Sequence, residues 1–226
     1  MSNKTESEKI FEAFCNLNQI TCEEIVASSI QQSPDYKIQL LGQDIIVEIK
    51  QFDPNDEEKE TIRKRQQGES LAFGTIPGDR IRGAIHTSNK QFKRRFDGKT
   101  PSLLVVYDNV MPPSTSHTRG YCVMVAMKGF DKVEVLLSKD PKKTPIFGET
   151  VSGSNREMRL DANTTISAIA VLLLHGDDSI GLNVYHNQFA KIPVDPALLR
   201  INNVRQFKLP ENSQNSLDKS WEELLM

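Results

Sequence analysis

The 226-residue chain is poor in cysteine. Its three cysteines, Cys15, Cys22 and Cys122, are odd in number and fit neither a disulfide framework nor zinc-ligand spacing. Both a disulfide-stapled fold and a zinc module are thereby set aside, and buried free thiols in a reducing compartment are expected. Long hydrophobic runs are missing too. No apolar stretch reaches the ~18 residues a membrane-spanning helix needs, so no membrane partner is expected. The first residues, MSNKTESEKI, are polar and do not read as a secretory signal, which makes the cytoplasm the expected location. An excess of positive charge is absent as well: the net charge is −2. That weighs against tight non-specific nucleic-acid binding. It leaves a nuclease open, because acids of a metal site offset basic residues elsewhere. GTIPGD lacks the Gly-Lys-Ser/Thr ending of a phosphate loop and reads as a turn. No zinc-finger pattern, basic zipper or internal repeat occurs.

What is present is a soluble α/β pattern, 38% hydrophobic and 26% charged. Ile10, Phe11, Phe14 and Leu17 recur at helical spacing, predicting a helix over Ser7–Asn18 with Ser7 as its cap. A short strand is expected near Glu24–Ser28. Strands over Tyr36–Leu41 and Asp44–Lys50 flank Gly42-Gln43, read as a hairpin turn. Asp53–Gly78 is polar with alternating charges and reads as a solvated loop, a short exposed helix or a flap over substrate. A basic helix is expected over Asp79–Phe96, a buried strand over Leu103–Tyr107, and a Pro/Ser/Thr loop over Met111–Thr118. A helix over Arg119–Lys128 should end at Gly129. Strands over Val133–Leu137, Thr165–Leu174 and Ile180–Tyr185 follow, with Lys139–Asn155 as a polar connection. Residues 1–209 read as one domain, with a core over about 7–107 and an elaboration over 108–209. Residues 210–226 read as a polar tail whose DKSWEELLM forms a terminal helix.

The chemistry gathers at Pro34-Asp35 and, after twelve intervening residues, Glu48-Ile49-Lys50. Glu48 and Lys50 are two apart on a strand and project from one face. The hairpin returns Asp35 to the neighbourhood of Glu48. Two carboxylates at one end of a sheet suit a hard cation such as Mg²⁺ or Mn²⁺. The Ile49 carbonyl can add a ligand. Lys50 can orient or help deprotonate a water and stabilise charge on a phosphate. A strand-edge ion pair is the plain alternative. Arg63, Lys64 and Arg65, with Arg80, Arg82, Lys90, Lys93, Arg94 and Arg95 on the basic helix, are the candidates for phosphate-backbone contact.

Pro34-Asp35 and Glu48-Ile49-Lys50, preceded by the apolar run IIV, resemble the PD-(D/E)xK nuclease superfamily. That superfamily includes many restriction endonucleases and archaeal Holliday-junction resolvases. The resemblance implies a restriction-endonuclease-like α/β core, with a mixed β-sheet flanked by helices, here carrying additional C-terminal strands. It implies a Mg²⁺-dependent endonuclease acting on DNA, in repair, restriction or phage defence. It implies a further acid from an upstream helix, with Glu8 preferred and Glu12 the alternative. A glutamine on the helix after the Glu-x-Lys strand is also implied. Gln91 fits that position, and Gln51 is a second candidate for a supporting role. A homodimer follows from the same resemblance, as members that cut both strands are often dimers. Two other classes stay open: a non-cleaving module of this fold that binds nucleic acid or a protein, and a small-molecule-binding α/β domain.

Overall fold

The structure is a computed structural model that describes residues 4–26, 33–69, 76–110, 117–140, 142–152, 154–209 and 221–224. Its first helix, α1 (Glu6–Leu17), is started by Thr5 rather than Ser7. The Thr5 hydroxyl accepts from the Glu8 N–H, and the Glu8 carboxylate accepts from the Thr5 N–H at 2.6 Å, a reciprocal capping box. Ser7 is instead buried at the helix start.

Beyond α1 come β1 (Thr21–Glu24), β2 (Tyr36–Leu40) and β3 (Gln43–Phe52), paired antiparallel in that order. The turn between β2 and β3 is Leu41-Gly42, one residue earlier than expected. Both residues have positive φ, 48° and 83°, the twist a two-residue hairpin turn needs. The polar stretch after β3 is not all loop, because Asp56–Gln66 forms α2 behind an Asn55–Glu58 capping box. Then come α3 (Asp79–Arg95), β4 (Ser102–Asp108) and α4 (Gly120–Lys128), the last ending at Gly129 as expected.

The chain continues through β5 (Asp131–Leu136) and β6 (Ile146–Ser152), which pair with each other as a separate two-stranded sheet. Strand β6 lies in what reads as a polar connection. Strands β7 (Ala168–Leu174) and β8 (Ile180–His186) were anticipated, whereas β9 (Val204–Lys208) and β10 (Glu222–Glu223) were not. Trp221–Leu224 is extended against β9 instead of helical. The expected loop over Met111–Thr118 lies, in residues 111–116, outside the described residues, as do residues 27 and 28 of the first expected strand.

The main sheet has eight strands in the order β1-β2-β3-β4-β7-β8-β9-β10. Pairs β3–β4, β4–β7 and β8–β9 are parallel and the others antiparallel, so the sheet is mixed. Period-two alternation splits β3 between two cores. Ile45, Val47 and Ile49 pack with Phe11 and Phe14 of α1. Phe52 and the partly buried Ile46 face the other core, with Ile81 and Ile85 of α3 and Val123 of α4. Gly78, before α3, has φ 76°, and a Cβ there would lie 2.7 Å from the Cys122 carbonyl. Only glycine allows α3 to start that close to α4.

Candidate active site

Strand β3 carries Glu48 and Lys50 on the face covered by α3, as the alternation predicts. Glu48 is 0% exposed and lies at the bottom of the site; the Lys50 side chain is 30% exposed and forms its rim. Lys50 Nζ donates to Glu48 Oε1 at 2.5 Å. Asp35 stands just ahead of β2, where the sheet opens beside β3. Its N–H donates to the Val47 carbonyl at 3.1 Å, and its Oδ2 accepts from the Ile49 N–H at 2.7 Å. The Asp35 carboxyl is thus tied to the backbone between Glu48 and Lys50, and it lies within hydrogen-bonding reach of Glu48.

The same pattern aims the Ile49 carbonyl. Backbone groups of Ile46 and Phe52 face the β4 side, bonding to Pro101 and Asn109. Those of Val47 and Ile49 face Asp35. Since the N–H and C=O of one strand residue point the same way, the Ile49 carbonyl opens toward the edge where Asp35 sits.

Glu48 Oε2 is buried and, among the described residues, accepts no hydrogen bond. Burial, then the Asp35 charge, push the Glu48 carboxyl up to about 7. Lys50 and the Gln91 amide act in the opposite sense. Burial also raises Asp35; the Ile49 N–H and Lys50 oppose it, and Glu8 adds to it. A buried polar oxygen with no partner is costly unless something completes it. A cation completes it, or the carboxyl's own proton shared with Asp35. Among the described residues no group of three or more His, Cys, Asp or Glu converges as a metal cluster. Two carboxylates, one carbonyl and waters nevertheless match what Mg²⁺ commonly takes, so the residues present fit the cation.

The supporting residues sort clearly. Glu8 is near enough for its charge to act on Asp35, although its carboxylate is engaged in the α1 capping box. Glu12 sits one turn on, accepts from Tyr36 Oη at 3.0 Å and pairs with Lys4. Gln91 comes from α3, lies beside Glu48 and donates to the Ser33 carbonyl at 3.3 Å. Gln51 faces the opposite way. Its Oε1 accepts the Ser7 N–H at 2.8 Å, fixing the start of α1 to β3.

The basic residues divide. Lys90, Lys93, Arg94 and Arg95 are exposed on α3. Arg82 does not belong with them: it is 7% exposed, donates to the Pro77 carbonyl and pairs with Asp79. Its guanidinium lies over the Phe130 ring, not on the outer face. Arg80 is also turned inward, donating to the Asp53 carbonyl at 2.8 Å and pairing with Glu58. On α2, Arg63 and Lys64 both pair with Glu60, at 2.7 and 3.6 Å, and Arg65 is exposed.

One group escaped the sequence reading. Glu58, on a helix that reads as solvated, is only 3% exposed. It accepts from the Asn55 N–H at 2.8 Å, pairs with Arg80 and lies 3.0 Å from His117 Nε2. The His117 N–H in turn donates to Asp108 Oδ2 at 2.9 Å. Asn-x-x-Glu is a capping-box pattern visible in the sequence; the burial of its glutamate is not. Comparison of the chain with protein-family models, curated proteins and solved structures gives no match.

Proposed function

We propose that this chain is a divalent-cation-dependent nuclease with a restriction-endonuclease-like core, hydrolysing phosphodiester bonds of DNA. The observation that carries the reading is Glu48 Oε2, a fully buried carboxylate oxygen without a partner among the described residues, beside Asp35 and Lys50. Asp35, Glu48 and the Ile49 carbonyl are the residues that would hold Mg²⁺ or Mn²⁺. When bound, such an ion lowers the pKa of its water and neutralises charge on the scissile phosphate. Lys50, held by Glu48 at the rim, orients the attacking water and donates to phosphate oxygens as charge develops there. Gln91 keeps the Glu48 side chain in place from the α3 side. The exposed cations of α3 draw the DNA backbone to the same face of the sheet. A homodimer cutting both strands, in the cytoplasm, belongs to this reading.

A second reading is a module of the same fold that binds without cleaving. It is favoured by Glu8, whose carboxylate is already used in capping α1. The two separate on plasmid, linear and single-stranded DNA incubated with wild type or Lys50→Ala in Mg²⁺, Mn²⁺ or EDTA. Cation-dependent cleavage lost in the variant is the expected result. Binding without cleavage on every substrate and cation would overturn the enzyme.

A further inference from the structure

Parallel strands β4 and β7 end side by side at Asp108 and Leu174. Outside these carboxyl ends, where α/β sheets characteristically hold ligands, lies a cleft of about 520 Å³. Its polar lining comes from Asp108, Thr118, Arg119, Gly120, His175 and Asn183. Helix α4, nine residues long, begins in this wall. No side chain caps it and no acid occupies its first turn, so the first-turn N–H groups carry partial positive charge at the cleft. The first helical residue is Gly120, which leaves that turn's backbone bare; a Cβ there would come within 3.2 Å of Tyr185 Oη.

The second observation is independent of the helix. Thr118, two residues before α4, is 3% exposed, and its Oγ1 has no hydrogen-bond partner among the described residues. A hydroxyl left unpaired in a cleft wall is completed by a ligand oxygen. Arg119, exposed beside it, adds a guanidinium. Asp108 is the one carboxylate among the described lining residues, and it is turned onto backbone. Its Oδ1 accepts from Val110 N–H at 3.2 Å and its Oδ2 from His117 N–H at 2.9 Å. It therefore does not present a bare charge to an incoming anion.

We propose that this cleft is a phosphate-binding site. The first-turn N–H groups of α4, the Thr118 hydroxyl and the Arg119 guanidinium together hold a phosphomonoester or phosphodiester group. The site goes beyond the nuclease reading, since it uses none of Asp35, Glu48 and Lys50.

The test uses the full chain in EDTA, titrated with inorganic phosphate, thymidine monophosphate and a 5′-phosphorylated oligothymidylate. Binding is followed by calorimetry and by amide NMR. Phosphate is expected to shift the Gly120 and Tyr121 amides. Arg119→Ala should weaken binding roughly tenfold, a loss expected for one charge-assisted contact. Thr118→Val should weaken it severalfold, and Thr118→Ser should restore it. Lys50→Ala should bind phosphate as the wild type does, which keeps this site's fate separate from that of the nuclease reading. Tighter binding of the mononucleotide assigns the phosphate to a free nucleotide, tighter binding of the oligonucleotide to a strand; either supports the site. Unmoved Gly120 and Tyr121 amides, or wild-type affinity in both Arg119→Ala and Thr118→Val, would overturn it.

Discussion

Two glutamates, Glu48 and Glu58, are almost fully buried, and they are buried differently. Glu58, from α2, has its carboxylate surrounded by Arg80, His117 and the Asn55 N–H. Glu48, within β3, has one oxygen on Lys50, while the other accepts no hydrogen bond among the described residues and has the Asp35 carboxyl nearby. Burial alone therefore does not mark a functional acid. Glu58 is a closed network that holds α2, the start of α3 and the segment after β4 together. Glu48 is left open, and its carboxyl is raised while its neighbours are also acidic.

The comparison breaks most severely at Glu58. Glu58→Ala strands Arg80 and His117 in a buried setting and should lower stability by roughly 3–5 kcal/mol, read as a fall in the urea midpoint. Cleavage per folded molecule should survive it. Lys50→Ala is the converse. We expect cation-dependent cleavage to drop about 10²–10⁴-fold, with a smaller fall in the urea midpoint than Glu58→Ala gives, since the raised Glu48 carboxyl can keep a proton when Lys50 is lost. If the two variants behave alike, the division between structural and functional acid is wrong.

The next effect concerns the cation. At pH 8, Mg²⁺ or Mn²⁺ at a hundredfold its Kd should stabilise the wild type by about 3 kcal/mol. Glu48→Gln should lose most of that gain. Thermal melts with and without EDTA decide it.

A smaller effect has its sign set by the raised Glu48 carboxyl. The folded protein holds this proton up to about pH 7, whereas the unfolded chain releases it near the usual 4.5. Between those values the native state binds more protons, so this group's contribution falls as pH rises through the window. Without cation, Glu48→Gln should then stabilise the protein at pH 8, on the order of 2–3 kcal/mol, and should have little effect below pH 4.5. Equal effects at both pH values would refute the raised carboxyl. Smallest of all, Lys93→Ala on the exposed face of α3 should reduce the salt slope of DNA binding by about 1. Arg82→Lys should leave that slope alone, because Arg82 is buried and held by Asp79, the Pro77 carbonyl and the Phe130 ring.

The helix and strand positions that were legible are those whose signal is local. Alternation in β3 sorted Ile45, Val47 and Ile49 from Glu48 and Lys50, and the short hairpin was enough to bring Asp35 back to them. Strand β6 (IFGETVS) is as long as β7, but its polar residues and glycine read as a connection, while β9 and β10 are short and pair with segments that no local period reports. Glu58 fails for the same reason: its partners Arg80 and His117 come from other segments. Arg82 misled because a basic helix reads as exposed all round, whereas its buried stripe takes in one arginine.

Both margins of the eight-stranded sheet carry consecutive glutamates, Glu23-Glu24 on β1 and Glu222-Glu223 on β10, and all four are exposed. An unpaired strand normally invites another strand, and like charges set opposite one another discourage it. Three of these acids are held by cations of the same chain, Glu23 by Lys37, Glu24 by Lys4 and Glu223 by Arg205, so each margin is a row of charged, hydrated side chains. Chains at high concentration should therefore resist growing into extended sheets.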